Sequence, residues 1–322
     1  MATVQRDFVG YGNNYPVFKW PNNAKLAVQF VLNYEEGAEN CILNGDNSSE
    51  TFLSEIIGAP AYENARHMSM ESIYEYGSRA GVWRILDLFR INNIPITVFG
   101  VAKALEQNPL FCEQILKDNH EVCCHGLKWI NYHGIPKDIE RTHMQEAIEL
   151  QIKMCGSRPL GWYTGRTSEN TRKLVAEEGG FLYDSDDYSD DLPFWSKVES
   201  KPHLIIPYTL DVNDMRFATN QGFNTSDHFF NYLMDTFNIL YNEGSTHPKM
   251  MSIGLHCRLI GRPGRFQSLK KFIEHIINFD NIWITKRIDI AKSVSYTHLR
   301  AHETLMNLVC RLLLEKKNVC TL

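Results

Sequence analysis

Residues 26–37, LAVQFVLNYEEG, begin as an apolar run and end in two acidic residues and a glycine. The run from Leu26 to Leu32 has the length and the β-branched and apolar composition of a β-strand. We therefore predict a strand here, with Glu35 and Glu36 at its carboxyl end.

Seven further stretches have the same character, and segments with helical spacing of apolar residues separate most of them. These stretches are PITVFG (95–100), HEVCCH (120–125), RPLGWY (158–163), FLYDS (181–185), HLIIPY (203–208), KMMSIGLH (249–256) and IWITK (282–286). Strands that alternate with helices predict an α/β fold whose parallel strands are joined by crossover helices. No Gly/Ser-rich or Pro-rich linker divides the series, which favours one barrel-like domain.

The predicted helices carry core-facing stripes. Their members are Val82, Leu86 and Phe89; Ile148, Ile152 and Cys155; Phe230, Leu233, Met234, Phe237 and Tyr241; and Leu269, Phe272, Ile273 and Ile276. Apolar residues repeating at three and four positions form one face of a helix. We expect each stripe to pack against the sheet.

Composition limits the possible partners. The 322 residues are 43% hydrophobic and 22% charged, with a formal net charge of −5, and the isoelectric point is near 6.2. Such a chain offers no basic face for nucleic acid. It contains no apolar span of about 18 residues and no signal-peptide pattern at its start, so we expect no membrane partner and a cytosolic location. A small, neutral or weakly polar substrate fits better.

The sequence gives no sign of a nucleotide cofactor or of disulfide bonds. Neither a dinucleotide-binding glycine motif nor a phosphate-binding loop follows any predicted strand. The eight cysteines include no C-x-x-C pair, and a chain of this size does not need disulfides to fold. We expect reduced thiols.

Polar residues collect at the carboxyl ends of five predicted strands, in the segments NYEEG, HGLKW, WYTGR, TLDVND and GLHCR. The carboxyl ends of the strands in a parallel barrel meet at one mouth, where active sites are built. Glu35 and Glu36 are either site residues, turned inward at Gly37, or solvated loop carboxylates. His125 and His256 are either acid–base groups or buried structural histidines.

Three further residues on these segments have a plausible binding role. Arg166 offers a planar fork for a carboxylate, an oxyanion or a ureido carbonyl, or else forms a surface salt bridge. Trp162 and Tyr163 either line a pocket for a small planar ligand or belong to the barrel packing.

These motifs resemble those of the polysaccharide-deacetylase (NodB-homology) superfamily and, within it, the cofactor-independent allantoinases. The resemblance covers residues 6–292 and is most specific in AVQFVLNYEEGAENCILNGD, MESIYEYGSRAGVWRIL, HGLKWINY, RPLGWYTGRTSENTRKLVAEEGGFLYDSD and IGLHCRLIGRPGRF. It implies a distorted (β/α) barrel with seven or eight parallel strands. It also implies a homotetramer.

The resemblance implies a metal-free site. Metal-dependent members carry an Asp-Asp pair after the first strand and His-x-x-x-His after the third, and the second Asp and both histidines bind the metal. Here the corresponding residues are Glu35, Glu36, His125 and Trp129. An indole cannot replace an imidazole ligand, and a site that loses one ligand binds its metal poorly. We therefore expect no cofactor.

The implied reaction is opening of the hydantoin ring of allantoin to allantoate. The predicted catalytic residues are Glu35 or Glu36 as general base, assisted by His125, and His256 as general acid. The predicted substrate-binding residues are Trp129, Trp162, Tyr163, Arg166 and Asp211. Among them, Arg166 would orient the ureido group and Trp129 would exclude water.

Two alternatives remain open. The first is a metal-dependent deacetylase of peptidoglycan or chitin oligosaccharides, in which Glu36 and His125 keep a weakened metal. The second is a catalytically inactive barrel that serves as a binding subunit.

The last thirty residues depart from the family pattern. From Ser293 onward the sequence no longer matches the resemblance, and it looks like a translated adaptor sequence fused after RIDIAK. We therefore predict a single domain over residues 1–292 and a non-native tail over residues 293–322.

Overall fold

Nine strands form one sheet in the computed structural model, which describes residues 6–16, 18–199 and 201–296. The strands are β1 (Leu26–Tyr34), β2 (Thr97–Gly100), β3 (Glu121–Cys124), β4 (Gly161–Trp162), β5 (Tyr183–Asp184), β6 (Phe194–Val198), β7 (Lys201–Ile205), β8 (Lys249–His256) and β9 (Ile282–Ile284). All eight predicted strands are present, and β8 has the predicted bounds.

The strand β1 lies near one edge of the sheet and pairs with three other strands. It pairs with β8 from Leu26 beside Lys249 to Asn33 beside His256. On its other side β1 pairs with β9 at its amino-terminal end and with β2 at its carboxyl end. The order β6-β7-β5-β4-β3-β2-β1-β8 is parallel except between β6 and β7. The predicted α/β barrel is confirmed, as a mostly parallel sheet that curls into a half-barrel.

Eight α-helices surround the sheet within the described ranges. They are α1 (Met68–Tyr76), α2 (Val82–Ile91), α3 (Ala102–Gln107), α4 (Pro109–Lys117), α5 (Lys137–Cys155), α6 (Thr171–Glu178), α7 (Ser226–Glu243) and α8 (Pro263–Ile276). Residues 287–296 are also helical. Short 3-10 segments lie at Pro21–Asn23, Ile42–Asn44 and Asp214–Ala218.

Most predicted helix stripes face the core. On α8 the four residues Leu269, Phe272, Ile273 and Ile276 are fully buried, as expected for the apolar face of an amphipathic helix. On α5 the prediction is wrong for one residue, because Ile152 is 43% exposed. The buried face of α5 instead includes Met144, Ala147, Ile148 and Gln151.

A single π-helical turn, Gly77–Gly81, joins α1 to α2. A Cβ atom on Gly81 would lie 2.1 Å from the carbonyl oxygen of Cys257, and one on Gly77 would lie 2.3 Å from Oε1 of Glu36. Only glycine permits such close contact. The two glycines therefore let this helical segment press against the carboxyl ends of β1 and β8, and such turns often occur at functional sites.

The six cysteines within the described residues are all buried and form no disulfide bonds. None of the helices described is both long and apolar enough to cross a bilayer. The predicted tail lies outside the described residues from position 297 onward.

Candidate active site

The acidic pair after β1 turns into the protein. The amide of Ala38 donates to the carbonyl of Glu35 at 2.9 Å, and Gly37 has a φ of +94°, which favours glycine. Glu35 is 1% exposed and Glu36 is 3% exposed. The alternative of two solvated loop carboxylates is therefore wrong.

One oxygen of Glu35 lies between two imidazoles. Oε1 is 3.4 Å from Nε2 of His125 and 3.6 Å from Nε2 of His256. The register of β1 with β8 sets Asn33 beside His256, and His125 follows β3, two strands away on the other side of β1. The predicted catalytic residues Glu35, His125 and His256 are thus brought together.

Arg258 is the cation of this cluster and was not predicted as a site residue. Its buried guanidinium donates from Nη2 to Oε2 of Glu35 at 2.7 Å and from Nη1 to Oε1 of Glu36 at 3.3 Å. Its Nε donates to the carbonyl of Leu53 at 2.8 Å. A planar fork of this kind can hold two carboxylates at once.

The two glutamates have opposite electrostatic surroundings. Burial favours a higher pKa for Glu35, but Arg258, then His256 and His125, outweigh it and hold the pKa well below its ordinary value. Burial raises the pKa of Glu36, and Arg258 offsets this only in part. Glu35 is therefore the more acidic of the two carboxyl groups.

Asp214 orients His256. Its Oδ1 lies 2.6 Å from Nδ1 of the imidazole, and its Oδ2 accepts from the backbone amides of His256 at 2.8 Å and Ile260 at 3.0 Å. Burial favours a lower pKa for His256, but Asp214 and then Glu35 raise the pKa above its ordinary value. With Nδ1 committed to Asp214, Nε2 is the atom that can donate a proton.

The ring nitrogens of His125 make no hydrogen bond of good geometry, although Nε2 lies 3.4 Å from Oε1 of Glu35. Among the described residues, neither Nδ1 nor Nε2 has a hydrogen-bond partner, although the side chain is buried. Its ring lies 4.9 Å from the ring of Tyr163 and 6.0 Å from that of Phe99. Buried polar atoms are nearly always paired, so these nitrogens indicate a place for water or substrate.

Trp129 and Arg166 stack beside the cluster. The guanidinium carbon of Arg166 lies 3.8 Å from the centre of the Trp129 ring, and its Nη1 and Nη2 approach Glu50 at 3.4 Å each. Trp129 is buried. Arg166, a predicted substrate-binding residue, is thus held beside the cluster by Trp129 and Glu50.

The structure separates Trp162 and Asp211 from this cluster. Trp162 packs against Phe181, and its Nε1 donates to Oγ1 of Thr164 at 2.7 Å. Asp211 is exposed, accepts from Thr209 and Tyr232, and lines a cavity of about 660 Å³ that includes neither Glu35 nor the two histidines. In the segment TLDVND, Asp214 rather than Asp211 reaches the site.

The residues present do not fit the metal site of the metal-dependent members. The indole of Trp129 has no free lone pair with which to bind a cation, and the guanidinium of Arg258 already lies against both carboxylates. Within the residues that the structure describes, no group of three or more His, Cys, Asp or Glu side chains is arranged to hold a metal ion.

Known proteins are similar to this chain in sequence and in fold. The family model described as polysaccharide deacetylase matches residues 64–181. A Schizosaccharomyces pombe (strain 972 / ATCC 24843) protein named "Putative polysaccharide deacetylase" is 44% identical over 313 residues, which cover 91% of this chain and 98% of that protein.

Two solved structures are similar over nearly their whole length. A probable polysaccharide deacetylase from Pseudomonas aeruginosa PAO1 is 57% identical with a TM-score of 0.88, covering 89% of this chain and 97% of its own. PuuE allantoinase is 56% identical with a TM-score of 0.90, covering 91% and 98%. With a relative 44% identical across 98% of that relative's length, the chain belongs to the polysaccharide deacetylase family of hydrolases.

Proposed function

We propose that this hydrolase opens the hydantoin ring of allantoin to allantoate and that the reaction needs no metal. The similarity to PuuE allantoinase supports the substrate. The observation that carries the proposal is the position of Glu35 Oε1 between the Nε2 atoms of His125 and His256. In such an arrangement the carboxylate can act as the base that activates water, and an imidazole can act as the acid that delivers a proton.

In the proposed reaction, water lies beside Glu35 and His125, within hydrogen-bond reach of both. The carboxylate takes one proton from the water, and the oxygen attacks the carbonyl carbon of the ring amide. The carbon–nitrogen bond then breaks, and the ring nitrogen receives a proton from Nε2 of His256. The products are a carboxylic acid and a ureido group, so the atoms of one water molecule are consumed. Asp214 stabilises the charged imidazole before this transfer.

Arg166, Trp129 and Tyr163 are the proposed substrate contacts. Arg166 would donate its fork to the ureido carbonyl, and the two rings would exclude water from the reacting groups. A dry site strengthens the electrostatic interactions on which this chemistry depends. The predicted homotetramer stays a prediction, which light scattering of the purified protein would check.

The substrate is tested by offering the purified protein racemic allantoin and, separately, N-acetylated chitin and peptidoglycan fragments. We expect allantoate from the first and no acetate from the others. Trp162→Phe serves as a control variant and should form allantoate like the natural protein, because Trp162 lies apart from the cluster. Acetate without allantoate would identify a deacetylase, and no product from either would identify an inactive barrel.

Asp214→Asn is expected to shift the alkaline limb of the pH profile of kcat to lower pH. The general acid His256 must be protonated, and Asp214 is the largest influence raising its pKa above the ordinary 6.5. Activity of the natural protein therefore falls only as pH rises past that raised pKa. Without the Asp214 charge, burial and Arg258 still lower the pKa of His256 and only Glu35 is left to raise it, so the pKa falls. An alkaline limb that stays in place would contradict the role of His256.

A further inference from the structure

Two arginines and two aromatic rings form a stack beside the acidic pair. The guanidinium carbon of Arg166 lies 3.8 Å from the ring centre of Trp129. The guanidinium carbon of Arg258 lies 5.2 Å from the same ring and 4.1 Å from the ring of Tyr74. A cation near an aromatic face is attracted by the ring electrons, most strongly when both are removed from water. Trp129 therefore does more than fill the space of a missing imidazole.

Arg258 also donates hydrogen bonds to both acidic side chains. Nη2 contacts Glu35 at 2.7 Å and Nη1 contacts Glu36 at 3.3 Å, while the backbone amide of Arg258 contacts Oε1 of Glu36 at 3.3 Å. An arginine with no exposed surface is costly unless every charge near it is paired. In this chain the pairing partners are the two side chains that replace the acidic pair of the metal-dependent members.

We propose that Arg258, held in place by the ring of Trp129, occupies the position and supplies the fixed positive charge of the metal ion in metal-dependent relatives. Trp129 is then a positioning residue that acts through Arg258. The substitution of imidazole by indole and the placement of Arg258 form one coupled change. This inference deepens the metal-free function proposed above, but its main test uses no allantoin, so the two can fail separately.

A guanidinium differs from a metal ion in what it can do. It cannot bind a water molecule as a ligand and lower its pKa as a divalent ion does. It neutralises buried carboxylates and fixes their geometry. Water activation therefore passes to Glu35 and His125, which agrees with the unpaired ring nitrogens of His125.

The test is to restore a metal site in two steps. Trp129→His returns an imidazole while Arg258 remains, Arg258→Met removes the guanidinium, and a third protein carries both changes. Each is titrated with Co²⁺, and the visible ligand-field absorption and the shift in unfolding temperature are recorded. Arg265→Met, which removes a surface arginine paired with Glu55, is the control.

We expect only the double variant to develop the Co²⁺ spectrum and to be stabilised by Co²⁺, because ligand binding to the folded state raises stability. Co²⁺ binding by Trp129→His that is as tight as binding by the double variant would overturn the proposal, since Arg258 would then not compete with the ion for that position. A folded double variant that binds no Co²⁺ would overturn it too. If the double variant does not fold, tight Co²⁺ binding by Trp129→His still overturns the proposal, because that variant keeps the buried ion pairs.

The role of the ring is tested with Trp129→Phe and Trp129→Leu. Phenylalanine keeps an aromatic face, so we expect the pH profile of kcat to stay flat on the acid side. Leucine loses that face and loosens Arg258, so Glu35 should titrate nearer its ordinary pKa and an acid limb should appear. The titratable and charged groups near Glu35 are Arg258, His256, His125 and Glu36. Identical profiles for both variants would contradict the role of Trp129.

Discussion

Glu35→Gln is expected to lower kcat for allantoin by about 10²- to 10⁴-fold, the usual effect of removing a general acid or base. Glutamine has nearly the same shape but cannot accept the proton of the attacking water. Oε1 of Glu35 is also the carboxylate oxygen that lies near both imidazoles, at 3.4 and 3.6 Å. Steady-state rates with allantoin, together with circular dichroism to verify folding, measure the effect.

Glu36→Gln is the matched comparison, because the sequence left open which glutamate acts as base. The oxygens of Glu36 accept from the amide of Glu35 at 3.0 Å and from Arg258. Burial also raises its pKa, and its Oε1 already accepts from two donors of Arg258. We expect a smaller loss of kcat than for Glu35→Gln. A larger loss would assign the base to Glu36.

Arg258→Met is expected to lower the free energy of unfolding by about 3–5 kcal/mol, the usual cost of breaking a buried ion pair from one side. The change leaves Glu35 and Glu36 buried together without the cation that contacts both. Urea unfolding followed by fluorescence measures the loss. Arg265→Met is the control, because its ion pair with Glu55 is near the surface and should contribute about 0–1 kcal/mol.

The loss caused by Arg258→Met should depend on pH in a defined direction. In the natural protein the pKa of Glu35 is lowered, so its contribution to stability is present above its unfolded pKa and is lost only in strong acid. In the variant the largest influence that lowers both pKa values is gone, so the cost of burying the two charges grows as pH rises past the ordinary value of 4.5. The difference between the two proteins should therefore be largest near neutral pH. An equal loss in acid and at neutrality would contradict the electrostatic explanation.

The parallel part of the sheet could be predicted because most of its strands lie in runs rich in apolar residues. The strand β8, buried at every position, is the clearest example. The antiparallel strand β6 was missed, because half-buried and exposed residues alternate over most of Phe194–Val198. Such an edge strand is defined by its partner β7 rather than by its own composition.

The site could be predicted only where a residue ends a strand. Glu35, His125 and His256 do so, and the structure brings them together. Arg258 stands two residues beyond β8, in the quoted segment GLHCR, but its contact with the acids depends on the pairing of β1 with β8. The sequence does not distinguish Asp214 from Asp211 as the site residue of its segment, because only the fold shows that the 3-10 segment starting at Asp214 lies under His256.

Whether the site turns over allantoin without a metal is tested most directly by the rate of hydrolysis before and after exhaustive treatment with a metal chelator. Metal content is determined by mass spectrometry on the same samples. A site in which Arg258 supplies the positive charge predicts the same kcat in both samples and no gain when divalent ions are added back. A loss of turnover on chelation that Zn²⁺ or another divalent ion restores would contradict the account.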